Sequence, residues 1–323
     1  LRNFREANIP GKDAIVIGTK ETYNEGDGLS PNWLAGNIYR MDIKMSIRDF
    51  GVWSNPKTLE YEALRWDYDV ETKGNSYKII IPSDAVLWDS EKKSWMPVGD
   101  NVQATTMIKF DMSKYIGTNW HNGAAISWAD ILYQLAQSSE MVYNEKWNEI
   151  TESQSKYLEP YKGYRIDGNY LEMYLDKWHF NDGEIADFAV FSLDPWLLYA
   201  ATNDIVYEDN SLMYSSSKAV KYDVPVMRLV DQDHIKIVLD KVNSLKYDTL
   251  KPYFTIGDKV YATEDDFDAR KQALNSWAEE KGNLVIGEGG FYFESFDDAS
   301  GKVTLSAFRD ATYPLKKGDL LID

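Results

Sequence analysis

The stretch that most constrains this chain is residues 119–135, Asn119-Trp120-His121-Asn122-Gly123-Ala124-Ala125-Ile126-Ser127-Trp128-Ala129-Asp130-Ile131-Leu132-Tyr133-Gln134-Leu135. Asn122-Gly123 is turn chemistry, because Gly tolerates positive φ and Asn visits it more easily than most residues. Ser127 stands three residues before Asp130, the spacing of a capping box. There the Ser127 hydroxyl accepts the Asp130 amide, and the carboxylate reaches back to favour the positive helix end. Losing such a cap costs about 1 kcal/mol. Trp128, Ile131, Leu132, Leu135 and Val142 then follow at helical spacing, so one face of this helix is core.

The chain before this point reads as strands and the chain after it mainly as helices. Residues 13–18 read as a short buried strand, 19–32 as loop, and part of 33–53 as helix. Residues 61–70 and 76–81 should pair around Lys73-Gly74-Asn75, and 85–88 with 94–96 around the charged residues 89–93. Residues 104–112 alternate and lead into the turn. Beyond the capped helix, 144–158 reads as a second helix ended by Pro160. Residues 164–166 and 170–175 form a hairpin on Asp167-Gly168-Asn169. Helices follow at 184–191, 195–203, 216–222, 231–244 and 263–281, the last with Thr263 and Asp266 as a capping box and Gly282 as C-cap. Residues 290–296 and 302–308 close a hairpin on Asp298-Ala299-Ser300-Gly301. The expected class is α+β, a mixed α/β unit over 1–323. It is strand-rich over 1–118, helix-rich over 119–282 and closed by a hairpin over 283–323.

With 323 residues and 44% hydrophobic content a substantial core is assured. A net charge of −17, without a Lys/Arg cluster to offset it, argues against nucleic acid and against a basic membrane-binding patch. No cysteine is present, which removes disulfides, thiolate catalysis and Cys-based metal sites. No apolar run approaches the roughly 20 residues that span a bilayer. The chain begins at Leu1 without Met or a signal peptide, as a processed or shortened chain would.

The order tryptophan–histidine, turn, small-residue spacer and capped helix resembles the signature of the extracytoplasmic solute-binding proteins of the dipeptide/oligopeptide/nickel ABC-transporter family, W/F-H-D-G-x-x-x-T/S-A-x-D-V. Here it is carried by Trp120, His121, Gly123, Ser127, Asp130 and Ile131, with Asn122 in place of the acid. A second element, Gly287-Glu288-Gly289-Gly290-Phe291-Tyr292, is similar to the family's G-T-G-P-Y/F. Glu288 replaces the threonine and Gly290 the proline, and a hairpin and Arg309-Asp310-Ala311-Thr312-Tyr313 follow as in the family's tail. The resemblance implies a periplasmic-binding-protein-like lobe with a mixed β-sheet, hairpins and peripheral helices. It implies a membrane-anchored extracytoplasmic protein that binds a small-molecule solute, a peptide or oligosaccharide, and delivers it to an ABC permease in the membrane. It assigns no cofactor and no catalytic residue. Trp120, His121, Gly123, Ser127, Asp130, Gly287, Gly289 and Phe291 become scaffold. The chain would then be most of the first lobe, with the second lobe and half of the ligand cleft absent from it.

Chemistry-bearing patterns are sparse. His121, His179 and His234 are too scattered for a metal set. Acids gather at 182–187, 231–233, 264–268 and 297–298, mostly where helix starts and turns favour them. A carbohydrate-active hydrolase using two of them, separated across a sugar, is the rival reading. The glycines at 287–290 lack the Lys-Ser/Thr of a phosphate loop and feed a strand. Trp178, Trp196 and Tyr199 are the candidate ligand contacts, as aromatic platforms, with core packing the heavier reading for Trp196 and Tyr199.

Overall fold

The computed structural model describes residues 41–55, 57–191, 193–297, 299–300 and 302–315. The strand expected at 13–18, the loop at 19–32, the start of the 33–53 helix, Asp298 and Gly301 lie outside them. Helix α1 (Met41–Ile47) leads into a small antiparallel pair, β1 (Val52–Ser54) and β2 (Tyr61–Ala63). Strands β3 (Asp67–Glu71), β4 (Ile79–Ile80), β5 (Val86–Asp89), β6 (Ser94–Pro97), β7 (Gln103–Ala104) and β8 (Thr106–Asp111) follow. After α2 (Trp128–Tyr143) and α3 (Glu145–Thr151), the hairpin β9 (Tyr161–Asp167) and β10 (Tyr170–Leu175) completes the main sheet. Its six strands run β3-β8-β10-β9-β5-β6, every neighbour antiparallel.

The helical part comprises α4 (Asp182–Ala189), α5 (Trp196–Asn203), α6 (Ser216–Tyr222), α7 (Gln232–Ser244), α8 (Tyr247–Leu250) and α9 (Glu264–Lys281). Two short strands, Thr255–Ile256 and Lys259–Val260, separate α8 from α9. A final hairpin pairs Phe291–Asp297 with Lys302–Ala307. The chain is a mixed α+β fold.

The sheet is built by side-chain alternation. On β8, Thr106, Ile108 and Phe110 are buried while the residues between them are only partly covered. Ile108 sits opposite Met173 and Phe110 opposite Leu171 on β10, and all four belong to the main apolar core. The central strand β10 is covered on both faces. Leu171, Met173 and Leu175 enter the main core, and Tyr174 joins a smaller cluster with Ile81, Ala85 and Ala104. Glu172, also buried, is answered by Lys109, Arg165 and the Tyr174 hydroxyl. Helix α2 lies over this sheet with Ile131, Leu132, Leu135 and Ala136 turned inward, while Trp128 and Val142 are only half-buried.

Two local expectations are corrected. Residues 61–70 do not pair with 76–81: β3 pairs with β8, and Ile79–Ile80 pairs with Gln103–Ala104. The chain kinks at 64–66, where the amides of Leu64, Arg65 and Trp66 all donate to the Gly51 carbonyl. The kink buries Trp66 against Gly51, where an added Cβ would lie 2.6 Å from the indole. The helix expected over 144–158 stops at Thr151, because Glu152 turns left-handed at φ 53°. The Asn148 side chain then donates to the Ser153 carbonyl, closing that turn. The other helices and hairpins stand within a few residues of their expected places, and Asp204–Asp209 adds a π-helical turn to α5 that periodicity does not signal.

Ile131 is fully buried under α2, so Ile131→Ala should lower stability by about 2–5 kcal/mol in urea unfolding. Val142→Ala, on the half-covered end of the same helix, should lower it by clearly less.

Candidate functional site

The two sequence elements at 120–130 and 287–291 meet in space. Trp120 and Gly123 close the expected turn: the Trp120 amide donates to the Ala124 carbonyl, the Gly123 amide to the Trp120 carbonyl, and Gly123 sits at φ +80°. The turn buries Trp120 completely and presents His121 to the glycine-rich segment. The His121 amide donates to the Gly287 carbonyl at 2.8 Å, and the Gly287 amide donates back to His121 Nδ1 at 3.1 Å. Because Nδ1 accepts, the ring proton sits on Nε2, which donates to the Gly289 carbonyl at 3.0 Å. The Gly289 amide in turn donates to the Ile47 carbonyl at the end of α1. A Cβ on Gly289 would lie 2.6 Å from the Ser46 carbonyl, and one on Gly287 would overlap the Ile47 carbonyl, so this approach requires glycine at both positions. Phe291 is buried as the first residue of the hairpin that follows, and the Phe308 amide donates to the Gly290 carbonyl.

Helix α2 is capped as its sequence implies. The capping box forms, with the Ser127 amide donating to Asp130 Oδ2 at 2.8 Å. The same carboxylate, almost fully buried, does more than cap. Its Oδ1 accepts the Trp196 amide at the start of α5 and Arg270 Nη1 from α9, and its Oδ2 accepts Arg270 Nη2 at 2.8 Å. Arg270 also donates to the Ala125 carbonyl and lies 5.4 Å above the Trp196 ring. One side-chain pair therefore ties three helices to the turn.

Beneath the glycine segment lies a group of buried charges that sequence reasoning missed. Arg48 pairs with Asp194, and Arg65 pairs with Asp49 at 2.9 Å. Arg65 also donates to Thr118 Oγ1, to the Lys114 carbonyl and to the Glu288 main-chain carbonyl. The Glu288 carboxylate lies among them, and burial pushes its carboxyl up to about 8. Nothing in the order of these residues brings 48, 65, 194 and 288 together. Only the presence of an acid between two glycines hinted at an unusual setting.

The candidate ligand contacts divide. Trp196 is fully buried, packed on Phe254 and Phe267, and Tyr199 is nearly so, facing Tyr133. Both are packed in the core, and every residue of α5 is buried. Trp178 alone is at the surface, 39% exposed, with Phe180 more exposed still. The three do not form one binding face. A cavity of about 420 Å³ does open at the motif junction, between His121 and Asn122 on one side and Trp277, Tyr292 and Phe308 on the other.

The remaining expectations find local roles. His179 Nδ1 bonds its own turn, and His234 Nδ1 accepts the Arg228 amide. Asp231 and Asp266 cap helices, and Asp297 accepts two turn amides. Among the described residues no group of three or more His, Asp or Glu is placed to hold a metal, and no helix is long and apolar enough to cross a membrane. No protein-family model matches the chain, and no curated protein matches it either.

Two outcomes follow from this geometry. Arg270→Ala leaves the Asp130 carboxylate buried without its cation and should cost about 3–5 kcal/mol, measured by chemical denaturation. Adding Asp130→Asn should cost less than the sum of the single losses, because the two side chains act on each other. Burial pushes His121 down to about 4, against 6.5 for the free residue. Between those values the unfolded chain binds the extra proton, so this residue makes stability fall as pH drops from 6.5 to 4, by about 3 kcal/mol in all. His121→Gln should remove that part of the acid sensitivity.

Proposed function

We propose that this chain belongs to the solute-binding component of an ABC importer of the dipeptide/oligopeptide/nickel family. It would capture a peptide or oligosaccharide outside the cytoplasm and hand it to a membrane permease. The observation that supports this reading is the direct bonding of His121 to Gly287 and Gly289. Two short motifs more than 150 residues apart interlock here as parts of one structure. In this reading the signature residues shape the lobe and leave the solute to other surfaces. That agrees with their burial: Trp120, His121, Asp130 and Phe291 are all covered. Solute capture would proceed by closure of lobes around the ligand.

The test is thermal unfolding against a panel of short peptides, mono- and oligosaccharides and Ni²⁺. One class of solute should raise the midpoint, because a ligand held only by the native state adds about 2.7 kcal/mol at a hundred times its dissociation constant. Cleavage of a panel member without any rise in midpoint would contradict the proposal and favour a hydrolase.

A further inference from the structure

The glycine segment carries a device that the solute-binding reading does not use. Glu288 is 3% exposed and sits between Gly287 and Gly289, the two residues bonded to His121. Its Oε1 receives the Tyr115 hydroxyl at 3.3 Å, a long contact, and its Oε2 has no hydrogen-bond partner. The cations nearby are turned elsewhere. Arg65 reaches Glu288 only through the main-chain carbonyl and gives its side-chain pairing to Asp49, while Arg48 pairs with Asp194. Among the described residues the arginines beside Glu288 pair with aspartates, Arg48 with Asp194 and Arg65 with Asp49, and neither donates to the Glu288 carboxylate.

The charged and titratable groups around it come from each neighbouring element. Arg48 and Asp49 follow α1, Arg65 lies in the kink before β3, and Tyr115 is in the turn after β8. Asp194 precedes α5, and neutral His121 stands across the glycine segment. Burial is the main force holding the Glu288 proton. Asp49 and Asp194 add to it, and Arg48 and Arg65 oppose it. Burial also pushes the Tyr115 hydroxyl up, so that residue stays a neutral donor. Asp194 is raised by burial and drawn back by Arg48.

We propose that Glu288 is a proton-operated latch: neutral, it seats the glycine segment on α1 and His121; ionised, it loosens that seat. A charge forced onto a side chain this enclosed must gain a donor or reach water, and a partly opened glycine segment provides that route. The direction is set by the shift. The unfolded chain loses this proton near 4.5 and the folded chain near 8, so between those values the folded state binds more protons and stability falls as pH rises. Below 6.5 the opposite contribution of His121 offsets this fall. From pH 6.5 upward the His121 contribution fades and the Glu288 effect is the larger of the two.

The experiment compares the full chain with Glu288→Gln, which keeps the shape and cannot ionise. Urea unfolding at pH 6.5 and pH 8 should show the folding constant of the unaltered chain falling about tenfold more than that of the variant. Carbon-13 NMR of the Glu288 carboxyl should give a midpoint near 8, and the His121 Nε2–H resonance, a reporter of the bond to Gly289, should shift or broaden with the same midpoint. Equal pH dependence of the two proteins overturns the latch, as does a carboxyl midpoint near the ordinary 4.5 or a His121 signal indifferent to it. If the variant does not fold, the two NMR readouts on the unaltered chain decide the matter by the same criteria.

Discussion

The structure depends on the pairing of Asp130 with Arg270. Asp130 receives five donors: the Ser127 amide and hydroxyl, the Trp196 amide and two guanidinium nitrogens. A carboxylate removed from water is tolerated only when its lone pairs are answered in this way. The consequence reaches well beyond one helix cap. Arg270 fixes α9 against the start of α2, and α9 ends at Gly282 in a left-handed cap that releases the chain toward residues 283–290. That segment arrives beside the turn that begins α2, where the two glycines and His121 exchange hydrogen bonds.

Much of this was legible in the sequence where the cause is local. The capping boxes at Ser127 and Thr263, the αL glycine at 282 and the Asp167-Gly168-Asn169 hairpin need only nearest-neighbour chemistry. The misplaced hairpin at 61–81 shows the limit. Its turn residues are sound, with Gly74 at φ +106°, but long-range pairing with β8 and burial of Trp66 decide where the strand goes. Likewise the Arg48, Asp49, Arg65, Asp194 and Glu288 cluster draws on four separate segments. No periodicity encodes such a meeting, and a buried charge looks like a surface charge until the fold covers it.

The aromatic residues follow the same logic. A tryptophan at the start of a helix reads equally well as a ligand platform or as packing, and the choice depends on what lies over it. Over Trp196 lies the guanidinium that pairs with Asp130, with Phe254 and Phe267 around it. The motif residues Trp120, His121, Asp130 and Phe291 are buried in the same way. The acids tell a parallel story: Asp231, Asp266 and Asp297 are engaged by backbone amides, which is a sufficient reason for their positions.

The claim that the two motifs form one cooperative unit is tested most directly by native-state hydrogen exchange. The amides of His121 and Gly287, each bonded across the junction, should open with the same free energy as the amide of Leu132 in the core of α2. Exchange of the junction amides through a separate opening several kcal/mol easier than that of Leu132 would contradict the claim.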